Sequence, residues 1–303
     1  MDGRRVLVTG GAGFIGSNLA NHLAADNEVI AVDDGYLGTP ANLSADVEFV
    51  ERSVVGEELP TDVDCVFHLA ALSSRQMHEE NPTRGARVNV EGFVNTVEQA
   101  RRDGCETVVY ASTSSIYSGK PRPSAESLDV EAATGYEASK LARERYAEYY
   151  HNFHDLSLAG MRFFAVYEGY DGAEAHKDDY ANLVTQFADS LAAGESPEIW
   201  GDGTQTRDFT HVDDVVRALV AAADHELNGI YNVGTGRETS LNELVELLNA
   251  ALGTDIDPRY TEMPIENYVY HTRADHSKLT DAVGWEPQVS LEDGIERVCA
   301  AYE

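Results

Sequence analysis

The sequence contains few cysteines, few lysines and no long apolar run. Its three cysteines, Cys65, Cys105 and Cys299, lie far apart, so the sequence indicates neither a disulfide framework nor a cysteine metal site. Because no run of 18 apolar residues occurs, a membrane-spanning helix is not predicted. The first residues pass directly into a short β-like segment and lack the apolar region of a secretory signal peptide. We therefore expect a cytoplasmic globular protein.

Positive charge is also scarce. The 303 residues include 53 Asp and Glu against 22 Lys and Arg, which gives a formal net charge of −31, and only four of the basic residues are lysines. This excess repels nucleic-acid phosphates and anionic membranes, so we expect neither as a partner. It also destabilises the folded chain through self-repulsion, which roughly 1 M salt screens because the Debye length falls to about 3 Å. These features predict a halophilic protein; an ordinary acidic protein is the alternative.

The order of apolar segments indicates the fold class. Short β-branched runs predict buried strands at 5–9, 29–32, 47–50, 65–69, 107–111 and 156–164. Amphipathic segments predict helices at 15–25, 84–102, 136–151, 213–223 and 241–252. This alternation is typical of the α/β class with a doubly wound parallel sheet, the Rossmann architecture. We expect residues 1–167 to form this domain. Residues 168–303 are expected to form mostly a smaller C-terminal α/β substrate-binding region, with some elements returning to the main sheet.

A glycine-rich loop follows the first predicted strand. In the run TGGAGFIGS, Gly10, Gly13 and Gly16 permit a tight turn, close approach of a pyrophosphate and close packing of the next helix, whose N–H groups face the anion. The second predicted strand ends at Asp33 and Asp34. Asp33 is expected to accept hydrogen bonds from ribose hydroxyls and to repel a 2′-phosphate, so the sequence predicts NAD rather than NADP. Asp34 is the alternative ribose ligand.

A tyrosine and a lysine lie one helical turn apart. Tyr136 and Lys140 share a face of a predicted helix. By itself this spacing is usually a surface pair, but here it follows a strand that ends in a hydroxyl-rich segment containing Thr113. A tyrosine with a pKa of about 10 is a poor base at neutral pH, and a nearby ammonium and the positive nicotinamide ring favour its phenolate. The pattern predicts a site where tyrosine takes an alcohol proton while hydride passes to the nicotinamide.

Taken together, these motifs resemble those of the extended short-chain dehydrogenases/reductases of the nucleotide-sugar epimerase/dehydratase type. The resemblance extends from about residue 5 to residue 301. It includes His68-Leu69-Ala70-Ala71, Asn89-Val90-Glu91-Gly92 and the segments 201–209, 232–236 and 274–287. It implies NAD as the cofactor, Tyr136 as the acid/base, Lys140 as its electrostatic partner and Thr113 as the group that orients the substrate.

The resemblance also implies which residues bind the two ligands. The substrate would contact Thr113, Asn182 and Arg207, with Arg207 on a diphosphate through the bidentate geometry of its guanidinium, unless Arg207 forms a surface salt bridge instead. The residues implied to contact NAD are Gly10, Gly13, Phe14, Ile15, Gly16, Asp33, Asp34, Ser53, Val54, Leu69, Ala70, Ala71, Asn89, Ser112, Tyr136, Lys140 and Phe163.

The implied activity is NAD-dependent epimerisation of a nucleotide sugar through a transient 4-keto intermediate, with UDP-glucose and UDP-galactose as the favoured pair. A dehydratase, decarboxylase or dehydrogenase of the same family and a non-catalytic NAD-binding scaffold are the alternatives. Related dehydratases carry an Asp-Glu pair directly after the active-site Thr, where this chain has Ser114 and Ser115. The family commonly forms homodimers through two helices of each subunit, which would be segments 84–102 and 136–151.

Three positions depart from the family pattern. Ala165 stands where relatives usually carry Asn, and Ile265 stands where they often carry Arg. Each lost charge-assisted hydrogen bond to a diphosphate costs about 1.5–3 kcal/mol. Ser53 and Val54 replace an acidic residue and its apolar neighbour on the adenine side. His68, within an apolar strand, is interpreted as a hydrogen-bonded core histidine, and no metal site is predicted.

Overall fold

The computed structural model of the chain describes residues 1–264 and 268–302. Its strands are β1 (Arg5–Thr9), β2 (Glu28–Asp33), β3 (Val47–Glu51), β4 (Cys65–His68), β5 (Thr107–Thr113), β6 (Ser157–Phe163), β7 (Val166–Tyr167), β8 (Glu198–Trp200), β9 (Thr206–Arg207), β10 (Thr210–His211), β11 (Gly229–Val233), β12 (Thr239–Ser240) and β13 (Arg259–Thr261). Its α-helices are α1 (Phe14–Leu23), α2 (Arg75–Glu80), α3 (Pro82–Ala86), α4 (Gly92–Asp103), α5 (Gly135–His154), α6 (Leu183–Ala192), α7 (Val212–Asp224), α8 (Leu241–Leu252), α9 (Ser277–Val283) and α10 (Leu291–Ala300). Among these residues, no helix is long and apolar enough to cross a bilayer.

The centre of the molecule is a parallel sheet that, within the described ranges, has seven strands in the order β11-β6-β5-β4-β1-β2-β3. The doubly wound α/β class and the six strands predicted between residues 5 and 164 are confirmed. β11 was not predicted as a strand; it joins the edge of the sheet beside β6 after the α7 crossover. Its sequence, Gly229–Val233, is short and begins with glycine, which weakens the strand signal. The division of the chain near residue 167 stays a prediction.

Helices cover both faces of the sheet because successive strand residues point to opposite sides. In β1, Val6 and Val8 pack with α1 and α7 in one apolar cluster, whereas Leu7 packs with α4 and α5 in another. A third cluster joins α6, α8 and α10 beyond the carboxyl ends of the strands. This arrangement leaves the carboxyl edge of the sheet facing the C-terminal region.

The segment predicted as one helix at 84–102 has three parts in the structure. α3 is followed by a π-helical turn, Arg87–Glu91, and then by α4. Asn89 lies in this π-helical turn, and its side-chain amide points into the core. There its Oδ1 accepts the Leu72 N–H at 2.8 Å and its Nδ2 donates to the Leu72 carbonyl at 3.1 Å. These bonds hold the loop that leaves β4. A π-turn of this kind commonly marks a functional site.

Candidate active site

A cleft of about 640 Å³ opens at the carboxyl edge of the central sheet. One end is formed by the glycine loop after β1 and the end of β2, and the middle by the end of β5 and the first turn of α5. The other end is formed by β9, α6 and the segment around Tyr268. In open parallel sheets, ligands bind in this crevice outside the strand ends.

The glycine loop is packed so tightly that side chains do not fit. Gly10 has a left-handed φ of +68°, and a Cβ there would lie 2.6 Å from the Ala70 nitrogen. A Cβ on Gly16 would lie 2.0 Å from the carbonyl oxygen of Gly10. α1 begins directly after Gly13, and within the described residues no side chain caps its first turn. Its uncapped N–H groups are therefore available for an anion such as a pyrophosphate.

Asp33 ends β2 at the same end of the cleft. Its carboxylate accepts the Ala12 N–H at 3.2 Å and the Gly35 N–H at 2.9 Å, and burial raises its pKa. These bonds fix a carboxylate at the position where a dinucleotide presents its ribose hydroxyls. The neighbouring Asp34 lies 3.8 Å from the guanidinium of Arg84, which stacks 3.7 Å from the centre of the Tyr36 ring. The loop, the uncapped helix and Asp33 therefore fit NAD.

Tyr136 lies in the first turn of α5, and the end of β5 places Thr113 beside it. The Thr113 side chain hydrogen-bonds the Tyr136 phenol. Burial raises the pKa of Tyr136, and both this hydrogen bond and the positive charge of Arg143 oppose that rise. The Lys140 ammonium donates to the Ala111 carbonyl at 3.2 Å and lies 5.7 Å from the centre of the Tyr136 ring. The structure thus brings together a phenol, a hydroxyl and a buried cation inside the cleft.

Arg207 lies at the opposite end of the cleft from Asp33. Its Nη1 donates to the carbonyls of Thr206 at 2.8 Å and Tyr270 at 3.2 Å, and its guanidinium lies 5.1 Å from the centre of the Tyr268 ring. Burial lowers the pKa of Arg207. These contacts engage Nη1 and hold the guanidinium at the wall of the cleft, where it can meet an anionic group.

Two further positions bear on this end of the cleft. Asn182 caps α6 through its Oδ1, which accepts the Val184 N–H at 3.1 Å. Ala165 has a positive φ of 21° and lines the cleft with a methyl group only. Ile265 lies outside the described residues.

Most of the residues predicted to bind ligands line the cleft, and two do not. Asn89 is fully buried behind the wall and binds Leu72, so it supports the loop after β4. The Ser53 hydroxyl accepts the Val55 N–H at 3.2 Å in a turn beside the cleft. The predicted residues in the wall are Gly10, Gly13, Phe14, Ile15, Gly16, Asp33, Asp34, Val54, Leu69, Ala70, Ala71, Ser112, Thr113, Tyr136, Lys140, Phe163, Asn182 and Arg207.

Several residues near the cleft were missed by the sequence analysis. Ser73 and Tyr268 line it, and Ser73 follows the predicted β4 closely enough that its position could have signalled this. Asp208 is fully buried and accepts N–H groups of Thr235 at 2.8 Å, and also of Gly236 and Ala274, both at 2.9 Å. Asp208 thereby connects the segments 201–209, 232–236 and 274–287, which the sequence analysis treated only as family motifs.

His68 has the surroundings of a core residue. It is fully buried, its Nδ1 lies 3.0 Å from the Thr9 hydroxyl, and its ring meets that of Phe93 edge-on. Burial, together with the charges of Arg143 and Lys140, lowers the pKa of His68 well below its usual value, so the ring is neutral. In the part of the chain that the structure describes, no group of three or more His, Cys, Asp or Glu side chains is arranged to hold a metal ion.

Known proteins are similar to this chain in sequence and in fold. Residues 6–234 match the NAD dependent epimerase/dehydratase family. The chain is 37% identical over 307 residues to UDP-glucose 4-epimerase of Mycolicibacterium smegmatis, covering 97% of this chain and 96% of that protein. It is 31% identical to UDP-glucuronic acid decarboxylase 6 of Arabidopsis thaliana, covering 96% and 86% respectively. The crystal structure of UDP-glucose 4-epimerase from Thermotoga maritima with UDP-glucose superposes with a TM-score of 0.91 at 32% identity, over 98% of each chain. The chain therefore belongs to the NAD-dependent epimerase/dehydratase family, as an NAD-dependent sugar epimerase of the extended short-chain dehydrogenase/reductase type.

Proposed function

We propose that the protein interconverts UDP-glucose and UDP-galactose by inverting the configuration at C4. The observation that carries the proposal is the position of Tyr136, which lies in the cleft beside the Lys140 ammonium and is hydrogen-bonded to Thr113. A phenol placed in this way can take the proton of a sugar hydroxyl and return it. The glycine loop and Asp33, which fit NAD, lie in the same cleft.

The residues of the chain have separate tasks in this reaction. NAD held by the glycine loop and Asp33 would supply a reversible hydride acceptor, so that the reaction needs no net oxidation. Tyr136 accepts the hydroxyl proton in the first half-reaction and gives it back in the second. The Thr113 hydroxyl holds the reacting oxygen near the phenol, and Lys140 contributes positive charge that favours the phenolate. The keto sugar must turn over within the cleft between the two halves.

Arg207 and Asn182 are proposed to hold the diphosphate of the substrate. Arg207 presents a fixed guanidinium at the cleft wall, which suits an oxyanion. Ala165 adds no hydrogen bond, so Arg207 carries a larger share of diphosphate binding. The UDP-glucose 4-epimerase from M. smegmatis and the T. maritima structure with UDP-glucose support a UDP-hexose as substrate.

A product analysis tests this proposal. The protein, purified and kept in high salt with NAD, is incubated with UDP-, dTDP- and GDP-sugars, and products are identified by mass spectrometry and NMR. We expect UDP-glucose to give an isomer of unchanged mass inverted at C4. Loss of water would indicate a dehydratase. Loss of carbon dioxide from UDP-glucuronic acid, the substrate named for the A. thaliana relative, would indicate a decarboxylase. A dehydrated or decarboxylated product without the C4 isomer would contradict the proposal.

We also propose a homodimer formed through α4 and α5. The outer face of α5 exposes Tyr146, Tyr149 and Phe153, and Phe153 is 75% exposed. Neighbouring exposed aromatic side chains on one helix favour burial against a second copy. Light scattering in molar salt measures the assembly, and a monomeric mass would contradict it. A cytoplasmic location and a halophilic origin stay predictions.

A further inference from the structure

Arg143 is a fully buried arginine on α5, three residues after Lys140. Its Nε donates to the Asn89 carbonyl at 2.6 Å and its Nη2 to the Ala70 carbonyl at 2.7 Å. Its Nη1 donates to the Ala111 carbonyl at 3.3 Å. These acceptors lie in three different elements. Asn89 is in the π-turn, Ala70 is in the loop that follows β4, and Ala111 is in β5. Within 1–264 and 268–302, the Arg143 guanidinium forms no ion pair, so three backbone carbonyls hold its charge.

Lys140 is buried beside this guanidinium. Its ammonium shares the Ala111 carbonyl with Arg143, which places two cations next to each other, Lys140 in the wall of the cleft and Arg143 behind that wall. Two buried carboxylates of α5 are engaged elsewhere: that of Glu144 is paired with Arg162 at 2.7 Å, and that of Glu137 accepts the Ala133 N–H at 2.7 Å. A buried cation pair without an anion is unfavourable. An anion that forms nearby during the reaction would relieve it, and the Tyr136 phenolate is such an anion.

The two cations differ in how firmly they hold their proton. Burial and the charge of Arg143 lower the pKa of Lys140 well below its usual value. Burial lowers the pKa of Arg143 only to about 10, so the guanidinium is still charged at neutral pH. The charge of Arg143 also lowers the pKa of Tyr136. Arg143 is therefore the cation whose charge is secure near the phenol.

We propose that Arg143 is a positioning residue of the acid/base site, where its permanent charge stabilises the phenolate of Tyr136 and so keeps the base available at neutral pH. This inference rests on the proposed role of Tyr136. It adds a second cation to the Tyr136 and Lys140 pair that the sequence indicates.

The other titratable groups around this site do not replace that charge. Neutral rings are expected for His68 and His78, since burial lowers the pKa of each, and burial raises the pKa of Tyr110 so that its phenol stays protonated. The charge of Glu137 raises the pKa of Tyr136 and so opposes the phenolate. The groups that face the phenol or the two cations are His68 on β4, His78 on α2, Tyr110 and Thr113 on β5, and Glu137 and Glu144 on α5.

The test is a titration of Tyr136 that does not depend on substrate. Tyrosinate absorbance is followed with pH in the NAD-loaded protein, and the signal of Tyr136 is obtained by subtracting the Tyr136→Phe variant. In Arg143→Met, which keeps length but removes the charge, we expect the midpoint to rise by about one pH unit or more. Arg143→Lys should give a midpoint between those of the wild type and Arg143→Met, because an amine buried beside Lys140 keeps less of its charge than a guanidinium does. The rising limb of the kcat–pH profile should move by the same amount.

Controls separate charge from folding. Arg145→Met removes an exposed arginine of the same helix, whose side chain is 82% exposed, and should leave the titration unchanged. If Arg143→Met does not fold, Arg143→Gln, which keeps donors for the carbonyls, replaces it and should show the same rise. An unchanged midpoint in a folded, uncharged variant overturns the proposal, as does a midpoint in Arg143→Lys that lies above that of Arg143→Met. A normal titration shift without epimerase activity would contradict the proposed function alone.

Discussion

Replacing Tyr136 with Phe removes the proposed base while retaining its ring. The edge-on contact with His78, at 5.7 Å between ring centres, and the packing under Lys140 do not need the hydroxyl. Thr113 loses one hydrogen bond, worth about 0.5–1.5 kcal/mol, but keeps its bond to Ser115 at 3.0 Å. The fold and NAD affinity should therefore survive. Positioned acid/base groups contribute about 10²- to 10⁴-fold to rates, so turnover should fall by at least about a hundredfold.

The assay follows UDP-galactose formation by NMR in molar salt and measures bound NAD after the protein is denatured. Thr113→Ser, which keeps a hydroxyl, is the matched control and should retain most of the activity. Turnover of Tyr136→Phe within about tenfold of the wild type, with full NAD content, would refute the assigned base, since a positioned base contributes more than that.

Three further predictions concern stability and cofactor binding. Glu144→Gln leaves the buried guanidinium of Arg162 without its charged partner and should cost about 3–5 kcal/mol of unfolding free energy, measured by urea titration in high salt; a loss below about 1 kcal/mol would contradict it. In Gly16→Ala, the added Cβ would clash with the carbonyl oxygen of Gly10 and push the glycine loop out of place, at a cost of about 1–3 kcal/mol. Calorimetry should therefore show NAD binding that is weaker by about tenfold to a hundredfold. Raising KCl from about 0.1 to 1 M should raise the midpoint temperature of thermal unfolding, because salt screens the repulsion between negative charges. A midpoint that does not change with salt would contradict the prediction of a halophilic protein.

Part of the fold could be predicted because its signal is local. The apolar runs of β1 and β4 are buried on both faces, which makes a parallel strand recognisable without knowledge of its neighbours. β11 was missed because a five-residue strand that begins with glycine has little signal, and its place beside β6 depends on the crossover through α7. The π-turn at Asn89 was also missed, since a local helical pattern does not show that a side chain will bind Leu72.

The sequence by itself determined the glycine loop, Asp33, and the spacing of Tyr136 and Lys140, because each of these depends on neighbouring residues along one strand or helix. Only the tertiary structure decided which distant side chains meet them. Arg207 reaches the same cleft through a separate element, and Asn89 turns away from it into the core. Arg143 is the clearest example of a residue whose environment depends on the tertiary structure. Because α5 carries many charged residues, its sequence pattern alone predicts that Arg143 is exposed to solvent. The packing of α5 against β5 and the loop after β4 buries it instead, with carbonyls as its partners.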